Sequence, residues 1–348
     1  MKHFFFLSSL LLLLNTACEK ALLGTVPKSD PINNFEIFWK EYDQHSGIIF
    51  PKQINWDSVY QVYRPQVSTN TTAEELWEIF TQMIEAFDDE HTFIEDVLKD
   101  KTYVSGSHRI DAAIQGFSKK LIEEKYLEER IIIETAPDLS YGKIKDKDIG
   151  YIYLGDTDGN HPEQTMDDIL EEIGQHQAII FDVRNNGGGK GDFALGITRA
   201  FVSKDQKVMS EQTRNGSNYD DFDEVLWRMN INDGKNQYLK PVVVLTDRFS
   251  VSGAEHTTLY LKVNESITHM GDTTAGAFSS TSNRRFLPNG WTYQYPIQMS
   301  LDANGNSLDG EGLIPDIAIQ NTKADIEAEQ DRVLEKAFEF LLETYGIR

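Results

Sequence analysis

Two apolar runs without polar alternation, Ala178-Ile-Ile-Phe-Asp-Val and Pro241-Val-Val-Val-Leu-Thr, constrain this chain more than any other feature. A strand that reads as continuously apolar is buried on both faces, and such strands belong to parallel sheets covered by helices. Gly150-Tyr-Ile-Tyr-Leu supplies a further strand, and 164–173 and 193–201 carry helical spacing between the strands. The alternation from Ile149 onward therefore predicts an α/β core around a mainly parallel sheet. Residues 215–237 interrupt it and read as an inserted surface loop of the kind that shapes a cleft.

The first third of the chain reads differently. Phe35, Phe38, Trp39 and Tyr42, then Trp56, Val59, Tyr60 and Tyr63, then Leu76, Trp77, Phe80, Met83 and Ile84 recur at helical spacing. Thr72 ahead of Ala73-Glu74-Glu75 has the form of a capping box. These signals predict a small helical domain over 33–101 and a mixed connecting segment over 102–148, strand-like at 130–134. The α/β core then spans 149–322, and an amphipathic helix closes the chain over 323–348, with its helical run at 324–345.

Residues 1–17 have the charged, apolar and small-residue regions of a signal peptide, ending at Thr16-Ala17-Cys18. Cys18 is the only cysteine, so it forms no internal disulfide, and a bacterial lipobox uses it as the lipid attachment point. Asn15 departs from the usual apolar residue of that motif, and a buried cysteine after an ordinary signal is the alternative. With Cys18 acylated, 18–32 is a tether and the protein is a lipoprotein held to a membrane of the cell envelope, facing the periplasm or the outside. A formal net charge of −23 argues against nucleic acid or anionic lipid as a partner.

Ser252 follows the second apolar run in Asp247-Arg-Phe-Ser-Val-Ser-Gly-Ala-Glu and marks the start of a helix. The first N–H groups of a helix have no internal partner and lie at its electropositive end, so they can hold an oxyanion. Ser252 is therefore a candidate nucleophile. The run Asp182-Val-Arg-Asn-Asn-Gly-Gly-Gly-Lys leaves the other apolar strand and can turn backbone N–H groups toward one point. It lacks the Gly-Lys-Ser/Thr ending of a phosphate loop, and a plain tight turn is the simpler reading. A base is needed, and the residues alone leave two histidines open. His91 lies among acids in Phe87-Asp-Asp-Glu-His-Thr, and His256 lies four residues after Ser252. Side chains on a helix point back toward its N-terminus, whereas a base approaches the nucleophile from outside, which weighs against His256. Nothing in these motifs calls for a metal or a cofactor.

Taken in order, Asp182-Val-Arg-Asn-Asn-Gly-Gly-Gly, Thr246-Asp-Arg-Phe-Ser-Val-Ser-Gly-Ala-Glu, Gly271-Asp-Thr-Thr-Ala-Gly and Asp309-Gly-Glu-Gly-Leu-Ile-Pro-Asp resemble the motifs of carboxy-terminal processing (tail-specific) serine peptidases. The resemblance runs from Ile149 to Ile319. It implies a crotonase-like core, hydrolysis of peptide bonds in a peptide or unfolded protein, Ser252 as nucleophile, and an oxyanion hole from the N–H groups of Gly253 and Gly188. One branch of the family takes a lysine base from just past the last glycine of Gly-x-x-Thr-x-Gly. Here that place is Ala277, and no lysine occurs between Lys262 and Lys323. The other branch is similar to the tricorn protease core and to the retinoid-binding repeats, and its Asp-x-His-Thr signature resembles Asp89-Glu90-His91-Thr92. That implies His91 as general base, with Glu90 and Asp309 completing a relay. The family has glutamate where Asp309 stands, so Glu311 is a substitute. The retinoid-binding relatives keep a second class open, an inactive scaffold for an apolar ligand or peptide. No carboxylate-binding loop of a PDZ domain is read between Thr102 and Lys147.

Overall fold

The computed structural model describes residues 28–231, 236–279 and 282–348. The signal-peptide reading, the Cys18 attachment point and residues 18–27 of the tether lie outside them. The described chain opens with helices α1 (Pro31–His45), α2 (Trp56–Tyr63) and α3 (Ala73–Ile84). Their starts follow from local sequence: Asp30 caps α1 by accepting the Asn33 N–H at 3.0 Å, and Thr72 and Glu75 close the expected capping box on α3. A short hairpin follows, β1 (Phe93–Asp96) and β2 (Lys101–Val104). Beyond it come α4 (Ile110–Gln115) and the antiparallel strands β3 (Leu127–Ile133) and β4 (Ala136–Ile144).

The core alternates as expected: β5 (Ile149–Leu154), α5 (Pro162–Ile173), β6 (Ala178–Asp182) and α6 (Gly191–Thr198). A second hairpin, β7 (Gln206–Thr213) and β8 (Leu226–Asn230), precedes β9 (Val242–Thr246), α7 (Gly253–Lys262) and β10 (Ile267–Gly271). The remainder holds β11 (Ser282–Phe286), β12 (Thr292–Pro296), β13 (Gln298–Asp302), β14 (Ile317–Ala318), α8 (Lys323–Glu327) and α9 (Arg332–Tyr345).

The central sheet has the order β14-β10-β9-β6-β5-β4-β3, parallel from β5 through β14, with β3 and β4 added antiparallel at one edge. Every residue of β5, β6 and β9 is buried, as their uninterrupted apolar sequences require. One face packs Ile152, Phe181 and Val244 against α5, α6 and α7. The other packs Tyr151, Ile180 and Val243 against Leu334 and Leu341 of α9.

The expected helical N-terminal region is present, a sheet is built into it, and two further readings are corrected. β1 pairs antiparallel with β12, giving a four-stranded sheet β11-β12-β1-β2 whose outer half comes from nearly two hundred residues later. Its aromatic core accordingly takes in Leu287, Trp291, Tyr293 and Tyr295. Residues 215–237 are not only a loop, since 226–230 form β8 against β7. The closing helix is two helices, because Glu329 turns to φ +56° and Asp331 caps α9 by accepting the Leu334 N–H at 3.0 Å. No helix among the described residues is long and apolar enough to cross a membrane.

Candidate active site

Ser252 occupies the turn between β9 and α7 with φ +54° and ψ −111°. A non-glycine residue at positive φ is strained and persists only where its surroundings enforce it. Here the loops that leave β6 and β9 enforce it together. The Val251 N–H donates to Asn186 O at 2.9 Å, the Ser250 hydroxyl donates to Val183 O at 2.9 Å, and the Asp247 carboxylate accepts the N–H groups of Asn185 and Phe249. Gly188 lies against the serine, at φ +96°; a Cβ there would stand 2.7 Å from Ser252 Cβ and 2.9 Å from Val251 O. Only glycine allows that approach.

The carboxylate of Glu255, fully buried in the first turn of α7, collects four donors: Ser252 N–H at 3.0 Å, Thr274 hydroxyl at 2.6 Å, Gly276 N–H at 2.7 Å and Ala277 N–H at 2.9 Å. Burial raises its proton affinity against the pull of those bonds. Glu255 thus fixes the nucleophile turn to the 274–277 loop. Ala277, where the other branch of the family carries its lysine, is a fully buried methyl group in that loop.

His91 arrives from the other half of the molecule. It lies between the turn ending at Phe87 and strand β1, where Asp88 adopts φ +46°, and its carbonyl accepts the Gln294 side-chain N–H at 3.3 Å from β12. Its Nδ1 stands 3.5 Å from Asp89 Oδ1, an ion-pair distance rather than a good hydrogen bond. The partner oxygen of Asp89 accepts the Thr92 hydroxyl at 2.8 Å. Burial works to lower the His91 proton affinity, but Asp89, Glu255 and Asp309 together raise it above the ordinary value. Glu255, in the Ser252 turn, and Asp309 are thus among the charges that the imidazole feels. No hydrogen bond joins the imidazole to the Ser252 hydroxyl in this conformation.

The remaining expected residues divide. Asp309 is buried and accepts the N–H groups of Phe278 and Ser279 at 2.9 Å and the Ser279 hydroxyl, bracing the loop beyond Ala277. Glu311, the substitute acid, is exposed. Asp89, one residue before Glu90, is a carboxylate paired with His91 Nδ1. Gly188 is at the serine, but its N–H donates to Asn186 Oδ1 at 2.7 Å and is not open to an oxyanion. The Gly253 N–H, first in α7, makes no hydrogen bond among the described residues. His256 is one turn into α7 with Nε2 on Phe278 O at 3.0 Å, and burial pushes it down to about 4, so it stays neutral and turned away from Ser252.

Residues 148–319 match the sequence profile described as peptidase family S41. The core belongs to peptidase family S41. Over 179 residues the chain is 26% identical to the carboxy-terminal processing protease CtpA of Bacillus subtilis (strain 168), covering 51% of this chain and 36% of that protein. Over 207 residues it is 28% identical to CtpB of the same organism, covering 58% and 40%. The chain therefore spans less than half the length of these relatives. A solved structure from Parabacteroides merdae, assigned as a peptidase, matches with TM-score 0.81 and 27% identity, over 90% of this chain and 98% of that one.

Two residues near the candidate site escaped the sequence. Asp89 is two positions before His91 in a tight turn closed by the Thr92 N–H donating to Asp89 O at 3.0 Å, a placement that no strand or helix period signals. Lys52 had no signal: its ammonium donates to Asp88 O at 2.9 Å and lies against Gly310, between the two chain segments that carry Asp89 and Asp309. Arg184 braces something else. It pairs with Asp182 at 2.6 Å and Asp331 at 2.9 Å, tying β6 to α9. It borders a cavity of about 600 Å³ with Asp247 and Arg248, at the ends of the strands, and neither Ser252 nor His91 lines that cavity.

Proposed function

We propose that this protein is a serine endopeptidase that cleaves peptide or unfolded-protein substrates through an acyl-enzyme on Ser252. The observation that carries the reading is the strained Ser252 turn, held by Glu255 beneath an open Gly253 N–H, with a partly buried His91 imidazole that feels the Glu255 charge of that turn. A carrier of apolar ligands has no use for a strained serine aimed at a helix N-terminus. His91 takes the hydroxyl proton as Ser252 Oγ attacks the scissile carbonyl, the Gly253 N–H holds the oxyanion, and the imidazolium returns the proton to the leaving amine. Asp89 fixes the imidazole and stabilises its charge, and Glu255 and Asp309 favour the charged form through their fields. Serine and imidazole tighten into hydrogen-bonding distance when substrate binds, as catalytic pairs commonly do. The relatives named as carboxy-terminal processing proteases support peptides with accessible C-terminal ends as the substrate class. Within this reading Cys18 carries the lipid that keeps the enzyme at the cell envelope.

The test is labelling with a fluorophosphonate probe, which reacts with activated serines. Wild type is expected to label, Ser252→Ala not at all, and His91→Ala at least about 100-fold more slowly. Equal labelling of wild type and Ser252→Ala removes the nucleophile, and wild type that stays unlabelled but retains a fatty acid or retinoid is the scaffold instead.

A further inference from the structure

The cavity bordered by Arg184 takes no part in the chemistry proposed for Ser252, yet it is placed and sized as a ligand site. It lies beyond the carboxyl ends of parallel strands, where open α/β sheets hold their ligands: Thr246 ends β9, Asp272 follows β10 and Ile319 follows β14. Its volume of about 600 Å³ falls among small-molecule pockets, which run to roughly 300–1,000 Å³. Asp247 and Arg248 stand between β9 and Ser252, so the segment leading to the candidate nucleophile forms one wall.

The charges on the wall are of two kinds. Some are matched within the fold: Arg184 pairs with Asp182 and Asp331, and His108 Nδ1 stands 3.3 Å from Glu85 Oε1. Three are not. The half-buried Arg248 guanidinium donates to Thr274 O at 2.7 Å and has no carboxylate partner among the described residues, in a chain whose formal net charge is −23. Asp272 accepts the N–H of the adjacent Thr273 at 2.7 Å, and Asp247 accepts the N–H groups of Asn185 and Phe249. Neither acid forms an ion pair among the described residues. Burial pushes the Asp247 carboxyl up to about 6, as befits an acid with no cation in contact.

A ligand of one charge leaves part of this wall unmatched. A carboxylate answers Arg248 but adds to Asp247 and Asp272, whereas an amine answers the acids and not the guanidinium. A zwitterion answers both, through charge-assisted hydrogen bonds at each end. Between the charges, Thr273 and Gln320 offer polar side chains to a peptide backbone, and Ala113, Ile319 and Val333 offer apolar contact. We propose that this cavity is a second ligand site, which takes di- and tripeptides with both termini free, the carboxylate on Arg248 and the ammonium on Asp247 and Asp272. Such peptides are also what a peptidase can release, but the site rests on the cavity's own charges and not on Ser252 being the nucleophile.

The experiment titrates dialanine and trialanine into the full chain carrying Ser252→Ala, which leaves the peptides uncut, and follows the heat of binding. The same peptides with an acetylated N-terminus or an amidated C-terminus are compared, and Arg248→Gln and Asp272→Asn are each added to the protein. At least one uncapped peptide is expected to bind with a Kd of about 1 mM or tighter. Either cap should weaken it about tenfold or more, because each removes a charged hydrogen-bonding group. Arg248→Gln should weaken the uncapped peptide about tenfold and abolish the effect of the amide, whereas Asp272→Asn should reduce the effect of the acetyl group. Asp272 bonds only its own neighbour, so its variant tests the ammonium end by itself if Arg248→Gln does not fold. No binding of either peptide up to about 10 mM overturns the inference, as does equal binding of capped and uncapped peptides. Binding that the folded variants leave unchanged overturns it too, since the peptide then lies elsewhere, the cleft at residue 252 included. A wild type that fails to label with the fluorophosphonate while these dependences hold removes the peptidase reading and leaves the cavity site standing.

Discussion

At the scale of single residues, the Asp89–His91 pair sets how the proposed chemistry depends on pH. The histidine must be neutral to accept the serine proton, and its proton affinity is raised above the ordinary 6.5. Activity should therefore climb with pH through a midpoint above 6.5, read as kcat/KM. In Asp89→Asn that midpoint should move down and the plateau fall, because the nearest negative charge is gone. A midpoint that stays in place would remove Asp89 as the partner. The linkage to stability has the opposite sense. A histidine whose folded-state affinity is raised stabilises the fold fully below its unfolded value and loses that contribution as pH rises through the folded one. Asp89, lowered by His91 once the opposing effect of burial is overcome, contributes above its unfolded 3.8. The pair thus stabilises most between about 4 and 6.5, on the acid side of the range where it works. Ser252 stands out as a candidate because a serine at a strand-to-helix turn suits a nucleophile, whereas His91 is preferred to His256 through the family resemblance. Asn186 capturing the Gly188 N–H was not legible, since the direction of one N–H within a glycine run is settled by packing that no local spacing encodes.

Among the elements, the hairpin that follows His91 matters most. β1 is four residues long and gains its register from β12, where Phe93 stands opposite Gln294 and Ile94 opposite Tyr293. The three N-terminal helices hold β12 in turn: Phe38 stacks on Phe80 at 4.1 Å, and Trp77 meets Trp291 edge-on at 5.3 Å. Phe80 is fully buried in α3, so Phe80→Ala should cost about 4 kcal/mol in urea unfolding, whereas Phe80→Leu should cost far less. The alanine variant should also lower the labelling rate at Ser252, although Phe80 is remote from it in sequence, because the helices position the strand that positions His91. Unchanged labelling in a folded Phe80→Ala protein would detach the aromatic core from the site. The helices were legible from their aromatic spacing and the Thr72 cap, which are local signals. β1 and β8 were not, since a short strand with a distant or irregular partner has no periodicity of its own to show. The break between α8 and α9 was hidden for a related reason: Asp331 caps one helix while bonding Arg184, an interaction 147 residues long in sequence.

On the scale of the whole molecule, the two cores meet along one line, and the proposed site lies on it. The α/β core carries Ser252, Gly253 and Glu255, whereas the aromatic core carries Lys52, Asp89 and His91 and is itself completed by 287–295. Those returning residues mean that neither half keeps its apolar surface covered alone. Consider a chain divided in the exposed stretch at Ser107–His108. One piece holds the imidazole and three helices that lack Trp291 and Tyr293, and the other holds the serine and an orphaned β12. Each should be silent toward the fluorophosphonate probe, and mixing should restore labelling at a rate that rises with the concentration of both. Wild-type labelling by the larger piece alone would contradict this. Because a β-ladder and side-chain contacts such as Arg214 with Ser46 O join the halves, reactivity at Ser252 becomes a reporter of assembly, and the protein has the build of a complementation sensor in which covalent capture records that two fragments have found each other.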